Sequence, residues 1–109
     1  MANTFKLKTK ANVGLTTVGI YTAPAATTTV VIGITLSNTS GSGVNVGVGI
    51  TRAGTTEDVK LLKNAPIPQG SSLEFMGGNK VVLETTDTLT VDSDTNNSVD
   101  AALTIMEIT

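Results

Sequence analysis

The chain contains no cysteine, no histidine and no tryptophan, and its 109 residues include one tyrosine and two phenylalanines. Without cysteine there is no disulfide framework and no thiolate zinc site. Without histidine the usual general base near neutral pH is missing. A serine or threonine nucleophile would then need a lysine or carboxylate base, and neither Ser-x-x-Lys nor Gly-x-Ser-x-Gly occurs. Scarce aromatics remove the platforms on which sugars and single-stranded bases stack. Charged residues make up 15% of the chain, with a net charge of −2, so no basic face for nucleic acid is expected. The longest apolar stretches are a few residues, such as Val30, Val31 and Ile32, far below the ~20 that span a bilayer. Residues 1–6 lack the apolar run of a signal peptide, so synthesis in the cytosol is expected. The expectation is a non-enzymatic protein with no cofactor, no nucleic acid and no membrane among its partners.

What the chain does have is β-branched residues: twenty Thr, twelve Val and seven Ile, over a third of the total. Such side chains are stiff at χ1 and suit a pleated, half-buried surface. Strand-like runs at 5–10, 16–22, 28–37, 44–52, 59–62, 72–75, 80–84, 88–92 and 99–108 alternate with turn clusters. The turns include Ala23-Pro24-Ala25, the segment 38–43, Ala53-Gly54, Pro66-Ile67-Pro68, Gly77-Gly78-Asn79 and the segment 94–97. This pattern predicts an all-β fold: a single antiparallel β-sandwich, jelly-roll-like, of about eight strands. Residues 1–15 are read as an N-terminal strand or arm and 16–109 as the sandwich domain.

The run 28–52 reads as a hairpin closed by segment 38–43. The period of two sends Val30, Ile32, Ile34 and Leu36, and Val44, Val46, Val48 and Ile50, to the core. The opposite face then carries Gly33, Thr35, Gly47, Gly49 and Thr51; the glycines either relieve crowding in a twisted sheet or leave a flat surface on which a neighbouring subunit packs. In 72–75, Leu73 and Phe75 face inward and Glu74 outward. The prolines at 66 and 68 imply an extended, non-pairing segment. The last strand has a core row, Val99, Ala101, Leu103 and Ile105, and a second, fairly apolar row ending in Met106 and Ile108. A second subunit or a covering N-terminal strand would bury that row. Low charge and positive mean hydropathy in so small a domain also favour a homo-oligomer, with a trimer expected.

Two polar features remain. Asp92, Asp94, Asn96 and Asp100 alternate as the start of a calcium loop does, but position twelve is Leu103 where a bidentate Glu belongs. The preferred reading is a polar hairpin turn rich in Asx residues and no metal, with Asn97 as a residue that tolerates a left-handed backbone. Lys6, Lys8 and Lys10 line one side of the first strand, either to blunt an edge or to dock on an acidic partner surface.

Val18-Gly19-Ile20-Tyr21-Thr22-Ala23-Pro24-Ala25, then Leu36-Ser37-Asn38-Thr39-Ser40, Pro68-Gln69-Gly70-Ser71-Ser72-Leu73-Glu74 and Thr86-Asp87-Thr88-Leu89 resemble a family of small virion proteins of tailed bacteriophages of marine and cyanobacterial hosts. The ending Ile105-Met106-Glu107-Ile108-Thr109 is similar too, so the resemblance spans about residues 16–109. One departure is Ala26, where that family often has glycine after Pro-Ala. The resemblance implies a β-sandwich or jelly-roll module without catalytic residues. Its role would be capsid decoration (cement), or a neck, tail or fibre component, with the major capsid protein or other virion proteins as partners. A soluble host- or glycan-binding module is the competing class.

Overall fold

The computed structural model describes residues 3–54, 57–75 and 80–109, so the turn expected at Gly77-Gly78-Asn79 lies outside the described residues. Nine strands form: β1 (Asn3–Val13), β2 (Val18–Thr22), β3 (Thr28–Asn38), β4 (Val44–Arg52), β5 (Glu57–Ile67), β6 (Ser72–Phe75), β7 (Val81–Leu83), β8 (Thr88–Ser93) and β9 (Val99–Ile108). Sheet I has the order β1-β9-β3-β6, with β7 pairing further along β3; sheet II has the order β2-β8-β4-β5. Every pairing is antiparallel. The chain crosses between sheets at nearly every connection, which is the jelly-roll arrangement. Val13, Val31, Ile34, Leu36, Val46, Val48, Leu83, Leu89, Val91, Leu103 and Ile105 fill one core between the sheets.

Three expectations are corrected. First, β3 and β4 are not a hairpin; they lie in opposite sheets. Asn38 explains the crossing. Its amide donates to the carbonyls of Ser42 (2.8 Å) and Ile67 (3.0 Å), and its Oδ1 accepts from the Ser40 backbone N–H and hydroxyl. A buried side chain with its hydrogen bonds met in this way ties the connection down across the end of the sandwich.

Second, the face assignment of β3 changes part-way. Val31 pairs Ile105 and Gly33 pairs Thr104, so Ile32 is an extra residue, a β-bulge. Ile34 and Leu36 point inward as expected, but before the bulge it is Thr29 and Val31 that are buried. Val30 faces out.

Third, the stretch holding Pro66 is not excluded from pairing. β5 runs through Pro66 and Ile67, opposite Asn45 and Val44. β5 is an edge strand, where a missing N–H is tolerated.

A polar pin joins the sheets at one end. The Tyr21 hydroxyl, from β2, donates to Glu107 Oε2 (2.5 Å) and shares a hydrogen bond with Thr29 Oγ1 (2.8 Å) in sheet I. Lys6 Nζ sits 2.8 Å from Glu107 Oε1. Burial and the adjacent carboxylate push Tyr21 up to about 12. The hydrogen bonds from Lys6 and Tyr21 hold the Glu107 carboxyl below the ordinary glutamate range.

Candidate assembly surface

The two outer faces of the sandwich differ in chemistry. On sheet II, directly paired residues facing outward are Thr22–Thr88–Thr51, Gly19–Thr90–Gly49 and Asp92–Gly47. Thr22 and Thr88 share a hydrogen bond at 2.9 Å, the Thr17 hydroxyl donates to Asp92, and Lys60 stands 3.9 Å from the same carboxylate. This is a hydroxyl-rich face.

Sheet I carries a large apolar row on its outer face. Register places Phe5 beside Met106, Met106 beside Val30, and Val30 beside Val82, one unbroken row across four strands. Asn3–Ile108–Thr28 lies on one side of it and Leu7–Thr104–Gly33 on the other. Phe5 is 69% exposed, Leu7 65% and Val82 53%. Large apolar side chains clustered on one open face mark an interaction surface, whereas single ones do not.

The row depends on a second bulge. Lys10 pairs Ala101 and Val13 pairs Val99, so Ala11 and Asn12 together oppose Asp100. Asn12 takes the left-handed backbone (φ 59°), and its N–H donates to Asp100 Oδ1 at 3.0 Å. A strict period of two from buried Val13 would bury Leu7 and Phe5. With the bulge, Lys6, Lys8 and Lys10 share the inner side with Ile105, Leu103 and Ala101, overhanging the open edge, and Phe5 and Leu7 turn outward.

Of the residues expected at an interface, Gly33, Thr35, Met106 and Ile108 lie on the outer face of sheet I, while Gly47, Gly49 and Thr51 lie on that of sheet II. They do not form one surface, and this corrects the single Gly/Thr face. Gly47 and Gly49 are also buried. A Cβ at Gly47 would come 2.5 Å from Asp92 Oδ1, and one at Gly49 would come 2.9 Å from the Val59 carbonyl. These glycines serve close packing within the sheet. Lys6 is engaged by buried Glu107, so the three lysines are not an equivalent basic stripe.

The acidic loop candidates are dispersed. Asp92 meets Thr17 and Lys60, Asp94 Oδ1 accepts from the Asn45 backbone N–H and the Thr95 hydroxyl, Asp100 accepts from the Asn12 backbone N–H, and Asn96 sits in an exposed turn. Among the described residues no three acidic side chains gather as a metal site would require. The loop is instead organised by the Ser93 and Ser98 hydroxyls, 2.6 Å apart, with Asn97 in the left-handed region (φ 49°).

Sequence reasoning missed Phe5, Leu7, Val30 and Val82 as surface residues. The available signal was Asn12, a residue type suited to a bulge, between a lysine run and Val13.

No family model and no curated protein matches this chain. Solved structures do share its fold. A subunit described under "Bacillus endospore appendages form a novel family of disulfide-linked pili" superposes with a TM-score of 0.57, at 15% identity over 99% of this chain and 87% of that one. A chain from the structure of infectious bursal disease virus, Gx strain, gives 0.55 at 14% identity, over 97% of this chain and 29% of that one. The likeness is one of fold. This chain spans under a third of the viral chain's length.

Proposed function

We propose that this chain is a non-enzymatic structural subunit of a bacteriophage particle, first of all a capsid decoration protein made in the host cytoplasm and held in the virion. The observation that carries the reading is the Phe5–Met106–Val30–Val82 row on the outside of sheet I, in a chain without histidine or cysteine. An open apolar face on a small domain with few charges suits permanent contact with other subunits. Burying it against the shell protein or further copies adds contacts that expansion or internal pressure must break. The phage-like motifs support this, and so does a fold shared with a pilus subunit and a viral chain.

A neck, tail or fibre position is the alternative within the same class. The glycan-binding reading is weaker, since Tyr21 is buried against Glu107 and Phe75 is half-buried, leaving Phe5 as the one exposed aromatic among the described residues.

Copy number tests the role. Quantitative mass spectrometry of particles purified from cells making this chain should find it at a level comparable to the main shell protein. A level of one or two small rings per particle would move it to the neck or tail. Its absence from particles would remove the structural reading.

A further inference from the structure

We infer that the outer face of sheet I is covered by a second copy of this chain, in a two-fold pair in which the apolar ridge of each copy enters a hollow on the other. The inference rests on the structural-subunit reading for its setting and names the partner of that surface. It replaces the trimer expected from the sequence.

The ridge is the Phe5–Met106–Val30–Val82 row. Directly beside it the side chains shrink. Gly33, Thr35, Ala102 and Thr104 line a hollow of about 270 Å³ in the same face, with Ile32 and Glu74 also in its lining. A two-fold axis in the plane of the face, across the strands between the Met106 and Thr104 levels, exchanges the two features. It seats Val30 and Met106 of one copy over Gly33 and Thr104 of the other, and the reverse. Such a contact is isologous and closes on itself, so it stops at two copies.

Area and charge both fit a second copy. Four strands about 4.8 Å apart and roughly ten residues long at about 3.3 Å per residue give roughly 650 Å² of face, close to the ~800 Å² per partner of a standard interface. Among the paired outward residues of this face the ionisable side chains are Glu74, on the edge strand β6, and Asp100, at the end of β9 away from the ridge. Two copies can therefore stack with both carboxylates at the margin of the contact and none at its centre. The inward-turned lysines of β1 leave the other side of that strand and do not oppose one another.

Light scattering on the full chain, together with sedimentation across a concentration series, tests this. The wild-type mass should be twice 11.1 kDa. The decisive variant is Gly33→Leu. A Cβ at Gly33 would meet only the Phe75 carbonyl at 3.8 Å, an ordinary contact, so the domain should keep its melting behaviour. Filling the hollow should weaken pairing by more than about tenfold. Adding Val30→Ala to Gly33→Leu makes room again and should restore the pair. A face that was merely sticky would behave oppositely, with leucine at position 33 strengthening association. A wild-type monomer, a trimer, or unweakened pairing by Gly33→Leu overturns the inference. A chain that stays single in solution yet enters particles retires the pairing and keeps the structural role. Pairing as described in a chain absent from particles does the reverse.

Discussion

Tyr21→Phe removes one oxygen from the pin between the sheets and should be costly. The hydroxyl makes a charge-assisted bond to Glu107 Oε2 at 2.5 Å and a second bond with Thr29 Oγ1 at 2.8 Å. Hydrogen bonds to charged groups contribute about 1.5–3 kcal/mol. Glu107 keeps Lys6 at 2.8 Å, so it is not stranded. Thr29 is 0% exposed, and its hydroxyl loses this partner, at a cost of about 1–3 kcal/mol. Because relaxation recovers part of the sum, the expected loss is about 2–4 kcal/mol, a large share of the 5–15 typical of a domain (roughly). At about 4–8 °C per kcal/mol the melting temperature should fall by roughly 8–30 °C. Urea unfolding measures the difference, and Thr29→Val in the Tyr21→Phe background isolates its origin. That second change removes the stranded hydroxyl and should return about 1 kcal/mol. The pH dependence has a definite sign. Glu107 is depressed, so its contribution is present above the ordinary glutamate pKa and is lost as pH falls through the lowered one. Tyr21 is raised from 10.0 to about 12, so its contribution is complete below pH 10 and is lost as pH rises from there towards 12. Tyr21→Phe should therefore flatten the alkaline loss. A loss under about 0.5 kcal/mol, or no recovery from Thr29→Val, would refute the account of the pin.

Ala26 occupies the left-handed region at φ 56°. Such a backbone costs a non-glycine residue about 1–2 kcal/mol, and glycine gives back about half in unfolded-chain entropy, so Ala26→Gly should raise the urea midpoint by the equivalent of about 0.5–1 kcal/mol. A fall in the midpoint would show that the turn is not strained. The two glycine environments should separate cleanly in the same assay. Gly33→Ala should stay within about 0.5 kcal/mol, whereas Gly49→Ala, meeting the Val59 carbonyl at 2.9 Å and Thr90 Oγ1 at 3.2 Å, should cost about 1–3 kcal/mol. Gly49→Asp, which a Gly/Thr contact face would lead one to expect to block assembly without unfolding the domain, should instead unfold it in a thermal melt; native-like melting would show that Gly49 has open space.

Much of the architecture is legible in the sequence because it rests on local preferences. β-branched runs and turn residues mark all nine strands, and β9 reads correctly on both faces: Val99, Ala101, Leu103 and Ile105 are buried and Met106 and Ile108 are turned outward. Pairing is less legible, since it depends on what a turn does in three dimensions. Segment 38–43 is long enough for a hairpin, and only the bonds of Asn38 to Ser42 and Ile67 send it across the sandwich. The motifs behind the phage resemblance sit at such joints: Tyr21 in the pin, Ala23 bonded to the Asp87 turn, and Asn38 in the crossover. They report the jelly roll's stitching more directly than they report any contact surface.

The surface itself was hidden by parity. A period of two assigns faces reliably only between bulges, because each extra residue inverts every assignment beyond it. β1 is inverted at Ala11–Asn12 and β3 at Ile32, while β9 between them runs regularly. Both inversions act on the same end of sheet I. One turns Phe5 and Leu7 outward, the other turns Val30 outward, and each comes into register with Met106 from the unbulged strand. Without the β1 bulge Met106 would stand beside Lys6, and it is the β3 bulge that sets Val30 and Val82 in the row while Val31 stays in the core. The ridge as it stands therefore depends on irregularities on both flanking strands. That makes it a property of the pairing and not of any one strand's pattern.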